Sequence, residues 1–279
     1  MGAPAAEQSW LGLLAQVKGG GLEAYWRDSE SLRCVGGNGS LARRLAEGIG
    51  EGRIRLSLPA VSVEQRERDL LVTLRDRTRI ECDRVIVAVA PSVLGRIDFR
   101  PALPDVLGRA GMGRVVKFLA ALSGPFWLDS GRSPNFASDG PVGVTWHGTS
   151  GQGGGAAGLV AFSGGRGADS CRAFGAAERV RRYLAALAPA YPGLNDAFTE
   201  SLFMDWPADP WTQGGYSCAA PGEMARIGSA WRDGAGGVVF AGEHTCPAFQ
   251  GYMEGALRSG RAAAAQVAAA TGLGARRGG

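Results

Sequence analysis

The sequence is short of several residue types that would point directly to a class of function. Its 279 residues include two lysines, two histidines and five cysteines. The cysteines are far apart and form no Cys-x-x-Cys pair, so we expect no metal site and no disulfide framework, and a cytoplasmic, reducing location. The histidines, His147 and His244, are not spaced as a metal-binding pair. Metal-dependent chemistry is therefore not expected.

Charge runs and long apolar runs are also missing. The net charge is only +4 and no cluster of Lys or Arg resembles a nucleic-acid-binding arm. No stretch approaches the ~18 apolar residues that a membrane-spanning helix needs, and Met1 is not followed by a secretory signal pattern. Hydrophobic residues make up 45% of the chain. This composition predicts a globular protein with a substantial core, as one large domain or two closely associated ones.

The apolar pattern alternates between strands and helices. We expect strands at 54–56 and 84–90, the second buried on both faces, a hairpin made by 70–74 and 79–82, and a mostly loop-like segment at 206–236. Helical spacing predicts helices at 174–188 and 255–270, the latter ended by Gly272. The last residues, 274–279, are expected to be frayed.

The strongest candidate for a binding site lies near the C-terminus. An apolar strand, Val239-Phe240-Ala241, runs into Gly242-Glu243-His244-Thr245, and a second glycine-rich segment, 249–256, opens a helix. Helix N-termini present unpaired amides and partial positive charge, and glycine lets a flat or anionic ligand approach the backbone. The same pattern also fits a tight strand-to-helix connection without a ligand, and spacing does not separate the two alternatives.

The full string, including Gly251-Tyr252-Met253-Glu254-Gly255-Ala256, resembles the flavin-binding segment of the flavin-containing amine oxidases, which include monoamine, polyamine and L-amino-acid oxidases. The resemblance implies FAD as cofactor, bound in part by Gly242, Glu243, Gly251, Tyr252, Met253 and Ala256. The segment Pro59–Val63 resembles the strand that holds the adenine in this family, which implies a contact at Ala60. The match extends over most of the chain and is weakest at 129–200.

Further roles follow from the same resemblance. Lys117 matches a lysine that is held through water at the flavin and assists oxygen reduction, although a lone lysine in an apolar strand is also explained by snorkelling. Tyr252 matches one of two tyrosines that frame the substrate, while Ser217 stands at the other position. Trp206, Tyr216 and Ser217 are the predicted substrate-side residues. Tyr216 stands where covalently flavinylated members have cysteine, which implies non-covalent FAD.

The fold class implied is α/β with an α+β insert. It comprises a partial Rossmann-like FAD-binding domain and an inserted substrate domain with an antiparallel sheet. We assign residues 1–104 to the middle part of the FAD domain, 105–205 to the substrate domain and 206–279 to the C-terminal part of the FAD domain.

One expected segment is not found. No Gly-x-Gly-x-x-Gly sequence lies between a predicted strand and a predicted helix. The family that the chain resembles binds the FAD diphosphate with such a motif. We therefore expect an FAD-dependent oxidase of amines or amino acids, yielding an imine and hydrogen peroxide, of which this chain is a C-terminal half or a subunit that needs an N-terminal Gly-x-Gly-x-x-Gly unit. The expected partners are an amine or amino acid and either an N-terminal FAD-domain chain or a homo-oligomer. A non-catalytic partner subunit or truncated remnant, and a flavoenzyme resembling desaturases or protoporphyrinogen oxidase, are the alternatives.

Overall fold

The computed structural model describes residues 2–153 and 157–272. The tail for which we predict fraying, 274–279, lies outside them. The chain divides into two compact units: the first comprises Met1–Ala6, Arg33–Leu41 and Gly113–Gly215, and the second Glu7–Leu32, Ala42–Met112 and Tyr216–Gly279. The limits at 113 and 215 lie eight to ten residues beyond the sequence-based limits at 105 and 205, and the assignment of domains stays a prediction.

The described residues contain helices and strands in mixed order. The helices are α1 Trp10–Gly19, α2 Glu23–Asp28, α3 Gly39–Ile49, α4 Pro91–Leu94, α5 Phe126–Asp129, α6 Arg166–Arg172, α7 Ala176–Leu187, α8 Leu194–Ala197, α9 Glu223–Asp233 and α10 Met253–Thr271. The strands are β1 Ala60–Gln65, β2 Leu70–Leu74, β3 Arg79–Cys82, β4 Val85–Val87, β5 Asp98–Arg100, β6 Val115–Leu122, β7 Phe136–Ala137, β8 Val144–His147, β9 Ala157–Gly164, β10 Phe198–Asp205 and β11 Val238–Phe240. None of these helices is long and apolar enough to cross a membrane.

The first unit is built on a five-stranded antiparallel sheet in the order β10-β6-β9-β8-β7. Successive side chains of a strand point to opposite faces, so Val116, Phe118 and Ala120 of β6 enter one core. Helix α7 packs on that core through Tyr183, whose ring stacks on Phe118 with centroids 4.4 Å apart. The predicted antiparallel sheet and the predicted helix at 174–188 are both present.

The second unit contains a four-stranded sheet, β3-β2-β1-β5, and a parallel pair, β4 and β11. The predicted hairpin is formed by β2 and β3, with Leu70 opposite Cys82. The prediction that β4 is buried on both faces is wrong, because β11 is its one partner among the described residues and Ile86 is 41% exposed. The predicted strand at 54–56 does not form either; no described strand pairs with it, and Leu56 is 81% exposed.

Helix α9 lies inside the segment for which the sequence predicts mostly loop. Its apolar residues Met224, Ile227 and Trp231 have helical spacing, which the surrounding glycines and prolines obscured. Ile227 and Trp231 are buried, and the Trp231 ring meets Phe240 of β11 edge-on, with centroids 5.1 Å apart. Helices α9 and α10 both pack on β11 and so fix the loop that follows it.

Candidate active site

The loop after β11 begins at a glycine that no other residue could replace without strain. Gly242 has φ +136°, and a Cβ built on it would lie 2.3 Å from the ring of His244. Its N–H donates to Ser259 Oγ at 2.9 Å, which ties the loop to α10. His244 is buried against Trp231, with ring centroids 4.8 Å apart, and burial lowers the pKa of its imidazole. The neutral ring therefore packs as part of the core.

The next residue, Glu243, connects two segments of the second unit. Its carboxylate accepts hydrogen bonds from the backbone N–H of Ser217 at 2.7 Å, from the Ser217 hydroxyl at 2.6 Å, and from the backbone N–H of Gly251. Hydrogen bonds to an ionised acceptor are stronger than neutral ones, so this carboxylate holds both segments in place. A direct contact between Glu243 and a flavin stays a prediction.

The segment around Gly251 opens the 19-residue helix α10. Gly251 has φ +84°, and Tyr252 is the N-cap but provides no side-chain cap to the helix. Gly255 lies so close to the loop that an added Cβ would be 2.0 Å from the carbonyl oxygen of Phe249. The turn is thus held tightly against α10, and the side chain of the N-cap residue accepts no hydrogen bond from the first amides of this long helix.

These residues fit one end of FAD. A helix N-terminus whose N-cap side chain accepts no amide hydrogen bond, preceded by a glycine turn, suits the electron-rich edge of a flat heteroaromatic ring. Met253, which is 51% exposed, and the exposed Ala256 stand on the first turns of α10 and leave the approach open. The diphosphate end is different, because no strand in the described residues leads through a glycine-rich loop into a helix of the dinucleotide-binding kind. That these residues contact the ring end of FAD stays a prediction.

Two of the predicted substrate-side residues lie beside this turn. A Cβ on Gly251 would be 3.6 Å from Cδ2 of Tyr216, and burial raises the pKa of Tyr216 to about 12. Ser217 is buried and its hydroxyl is bonded to Glu243, so this hydroxyl does not replace a second substrate-framing tyrosine. Burial, and then a hydrogen bond with Tyr25, raise the pKa of Tyr252, so both phenols are neutral near pH 7.

The other predicted residues lie elsewhere. Lys117 is in β6 of the first unit, with its Nζ 5.5 Å from the centroid of the Trp146 ring. Trp206 begins a single 3₁₀ turn in the same unit, capped by the carboxylate of Asp205. Ala60 opens β1 in the four-stranded sheet of the second unit, opposite Leu74. The roles of Lys117, Trp206 and Ala60 stay predictions.

Sequence reasoning missed Tyr25, whose hydroxyl lies 3.2 Å from that of Tyr252. The two residues are 227 positions apart, and no motif surrounds Tyr25. A cleft of about 530 Å³ lies beside α9 and α10 in the same unit; Ser217 and His244 line it, whereas Tyr216 and Tyr252 do not. No group of three or more metal-ligating side chains occurs within 2–153 and 157–272.

Comparison with known proteins agrees with this geometry. The sequence matches the family of flavin containing amine oxidoreductases over residues 8–268. It is 28% identical to a probable flavin-containing monoamine oxidase A of Dictyostelium discoideum over 89% of this chain and 54% of that protein. It is 29% identical to an L-amino acid dehydrogenase of Synechocystis sp. over 94% of this chain and 56% of that protein.

A solved structure of an amine oxidase has a similar fold. The fold resembles that of cyclohexylamine oxidase from Brevibacterium oxydans IH-35A, with a TM-score of 0.78 and 30% identity, over 84% of this chain and 53% of that one. The chain therefore spans about half the length of the relatives that it matches. These names favour the amine oxidase resemblance over the desaturase-like alternative. Because the family match covers most of its length, the chain belongs to the flavin-containing amine oxidoreductases.

Proposed function

We propose that this chain provides the flavin-ring turn and the substrate-side tyrosines of an FAD-dependent oxidase of amines or amino acids. The observation that carries the proposal is the turn at Gly251. The carboxylate of Glu243 fixes this turn, and the N-terminus of α10 follows it. Family membership implies FAD as the cofactor. The names of the relatives, which include monoamine and L-amino-acid oxidoreductases, support the substrate class.

The overall reaction balances as two coupled halves. An amine with hydrogen on the carbon next to nitrogen loses two electrons and two protons and becomes an imine. Water then adds to the imine and releases ammonia and a carbonyl product. Molecular oxygen takes up the two electrons and two protons and leaves as hydrogen peroxide. Bound FAD supplies the two-electron acceptor that links these halves.

In this proposal, the residues of the chain position the cofactor and the substrate and polarise the ring end of the cofactor. The N-terminus of α10 places partial positive charge at the ring end of the cofactor site, which favours added electron density there. Tyr216 and Tyr252 present neutral aromatic faces that suit an amine and its hydrocarbon substituent. Lys117 is proposed to hold a water molecule for the oxygen half-reaction, as the resemblance implies. Its ammonium lies near the face of Trp146, an environment that tolerates a cation in a strand.

The binding of the FAD diphosphate is proposed to come from polypeptide outside these 279 residues, in the form of an N-terminal FAD-domain chain that carries a Gly-x-Gly-x-x-Gly unit. The incomplete pairing of β4, with Ile86 41% exposed, supports an additional neighbour in the assembled protein. A reducing, cytoplasmic location is proposed as well; the five free cysteines support it.

An absorbance titration tests this function. FAD is added to the purified chain, alone and with a polypeptide that carries a Gly-x-Gly-x-x-Gly unit, and each mixture is passed over gel filtration. We expect a structured flavin band that elutes with the protein, bleaches anaerobically on addition of phenethylamine and returns with air as peroxide forms. Acid precipitation is expected to leave the flavin in solution, because Tyr216 stands where covalent members have cysteine.

The outcomes are distinct. Flavin that is bound only in the presence of the second polypeptide, is bleached by amine and is reoxidised by air establishes a split oxidase. Flavin that binds but is never bleached by amines or amino acids contradicts the substrate class. The absence of bound flavin under every condition leaves a non-catalytic family member and overturns the proposed function.

A further inference from the structure

Two tyrosines from opposite ends of the sequence are joined in the second unit. The hydroxyl oxygens of Tyr25 and Tyr252 are 3.2 Å apart, within hydrogen-bond distance. Their rings meet edge-on, with centroids 6.3 Å apart and an interplanar angle of 76°. Both residues are half-buried, so part of each side chain is accessible to solvent.

The position of Tyr25 is fixed by close packing around the turn between α1 and α2. A Cβ on Gly19 would lie 2.3 Å from Cβ of Ala248, and a Cβ on Gly20 would lie 2.7 Å from the Tyr25 ring. The side-chain amide of Gln16 donates to the carbonyl of Gln250 at 2.6 Å. Helix α1 is thereby held against the loop that leads into Tyr252. Helix α2, which contains Tyr25, begins four residues after the end of α1.

The surroundings of the pair are aromatic, and the carboxylate of Glu30 lies within electrostatic range of two of the phenols. Phe249 meets Tyr252 edge-on with centroids 6.3 Å apart, and Tyr216 lies near enough to act on the Tyr252 phenol electrostatically. Glu30, which follows α2, acts on both Tyr216 and Tyr252 in the same way. Electron-rich ring faces and a nearby carboxylate attract an ammonium or amine and repel the carboxylate of an amino acid.

The two phenol hydroxyls keep hydrogen-bonding groups that their mutual bond does not use. Each phenol has one proton and two acceptor lone pairs, and the bond between Tyr25 and Tyr252 uses one proton and one lone pair. One hydroxyl proton and the remaining lone pairs are left to bond an amine nitrogen and its N–H groups. Ser217 offers no equivalent hydroxyl, because it donates to Glu243.

We propose that Tyr25 is a specificity-determining residue of this site, where its hydroxyl, joined to that of Tyr252, binds the nitrogen of an amine that carries no adjacent carboxylate. The proposal rests on the proposed function and narrows its substrate class from amines or amino acids to amines. Tyr25 takes the place of the second tyrosine that the sequence lacks at 217, and it does so from a different element, α2.

The test compares two probes that differ by a carboxylate, phenethylamine and L-phenylalanine. Their binding to the purified chain is measured by saturation-transfer NMR without flavin, and their kcat and KM are measured in the flavin-loaded protein. Tyr25→Phe removes the hydroxyl and keeps the ring. Arg27→Gln is the control on the same helix, because Arg27 is exposed and bonded only to Asp28 in the described structure.

We expect the wild-type chain to bind phenethylamine more tightly than L-phenylalanine. Tyr25→Phe should weaken phenethylamine binding about tenfold, which corresponds to about 1.4 kcal/mol, and should leave L-phenylalanine unchanged. In the loaded protein KM should rise while kcat holds. Arg27→Gln should match wild type, and circular dichroism should show the same helix content for all three proteins.

Either of two results overturns the proposal: equal binding of the two probes by wild type, including no binding of either, or unchanged phenethylamine binding by Tyr25→Phe. Failure of the proposed function gives a different signature, since the NMR comparison needs no flavin. A chain that never binds FAD yet distinguishes the two probes through Tyr25 would retain the amine site and lose the oxidase assignment.

Discussion

The carboxylate of Glu243 accepts hydrogen bonds from both the backbone N–H and the hydroxyl of Ser217, at 2.7 and 2.6 Å. The same carboxylate also accepts from the N–H of Gly251. A single side chain thus joins the segment at Tyr216 and Ser217 to the turn that opens α10. Both segments bear predicted site residues, so the arrangement of these residues depends on this carboxylate.

Replacing Glu243 by Gln should therefore loosen the site. One carboxylate oxygen becomes an NH₂ donor that faces backbone N–H donors, and we expect the free energy of unfolding to fall by about 1–3 kcal/mol. Flavin affinity should fall with it. Urea denaturation monitored by tryptophan fluorescence gives the stability change. Glu254→Gln is the matched control, because its exposed pair with Arg258 contributes less than about 0.5 kcal/mol. Equal stability losses in both variants would contradict the role given to Glu243.

Gly255 and Gly260 lie on the same helix and should respond in opposite ways to substitution by alanine. A Cβ on Gly255 would be 2.0 Å from the carbonyl oxygen of Phe249, so backbone must move, whereas nothing lies within 4 Å of a Cβ on Gly260. We expect Gly255→Ala to destabilise by about 1–3 kcal/mol. Gly260→Ala should stabilise by up to about 1 kcal/mol through helix propensity. Thermal unfolding of the two variants measures both, and a neutral Gly255→Ala would show that the turn does not pack as described.

Stability should fall as the pH drops below about 6.5, the ordinary histidine pKa. Burial lowers the pKa of His244 in the folded state, with Glu243 opposing this, so the unfolded chain binds more protons in that window. The stability contributed by the neutral ring is complete above pH 6.5 and is lost by at most about 1.4 kcal/mol per pH unit below it. Comparing Tm between pH 7.5 and 5.5 for wild type and His244→Gln measures this. His147→Gln should reduce the slope less, since His147 is only partly buried; the reverse order would refute the assignment.

Lys117 and Lys18 provide a paired test of the oxygen half-reaction, since they are the two lysines of the sequence. Lys117→Met keeps the length of the side chain and removes its charge. We expect reoxidation of the amine-reduced protein by oxygen to slow by roughly tenfold or more, equivalent to about 1.4 kcal/mol in the barrier, while reduction by amine is unchanged. Stopped-flow absorbance separates the two rates. Lys18→Met, on exposed α1 surface, should behave as wild type. Unchanged reoxidation in Lys117→Met would leave this residue as a strand lysine stabilised by Trp146.

Local patterns in the sequence determined much of the fold. Alternating and helical spacings predicted the hairpin of β2 and β3, the helix α7, and the sequence β11-glycine-α10, because neighbours in sequence set these elements. The C-terminal string also pointed to the family, since its glycines and first helical turn form one contiguous segment. Helix α9 was missed although Met224, Ile227 and Trp231 carried the signal, because nearby glycines and prolines outweighed it.

Tertiary structure decided what depends on residues far apart in the chain. The strand order β10-β6-β9-β8-β7 and the exposure of Ile86 follow from which strands find partners, which spacing within one strand does not encode. The bonds of Glu243 to Ser217, and of Tyr25 to Tyr252, join segments separated by 26 and 227 positions. A side chain's chemistry is written in the sequence, but the donor or acceptor that meets it is set by packing. For that reason the sequence predicted a flavin-binding turn at Gly251. Only the fold showed that Glu243 fixes this turn and that the phenol of Tyr25 lies beside Tyr252.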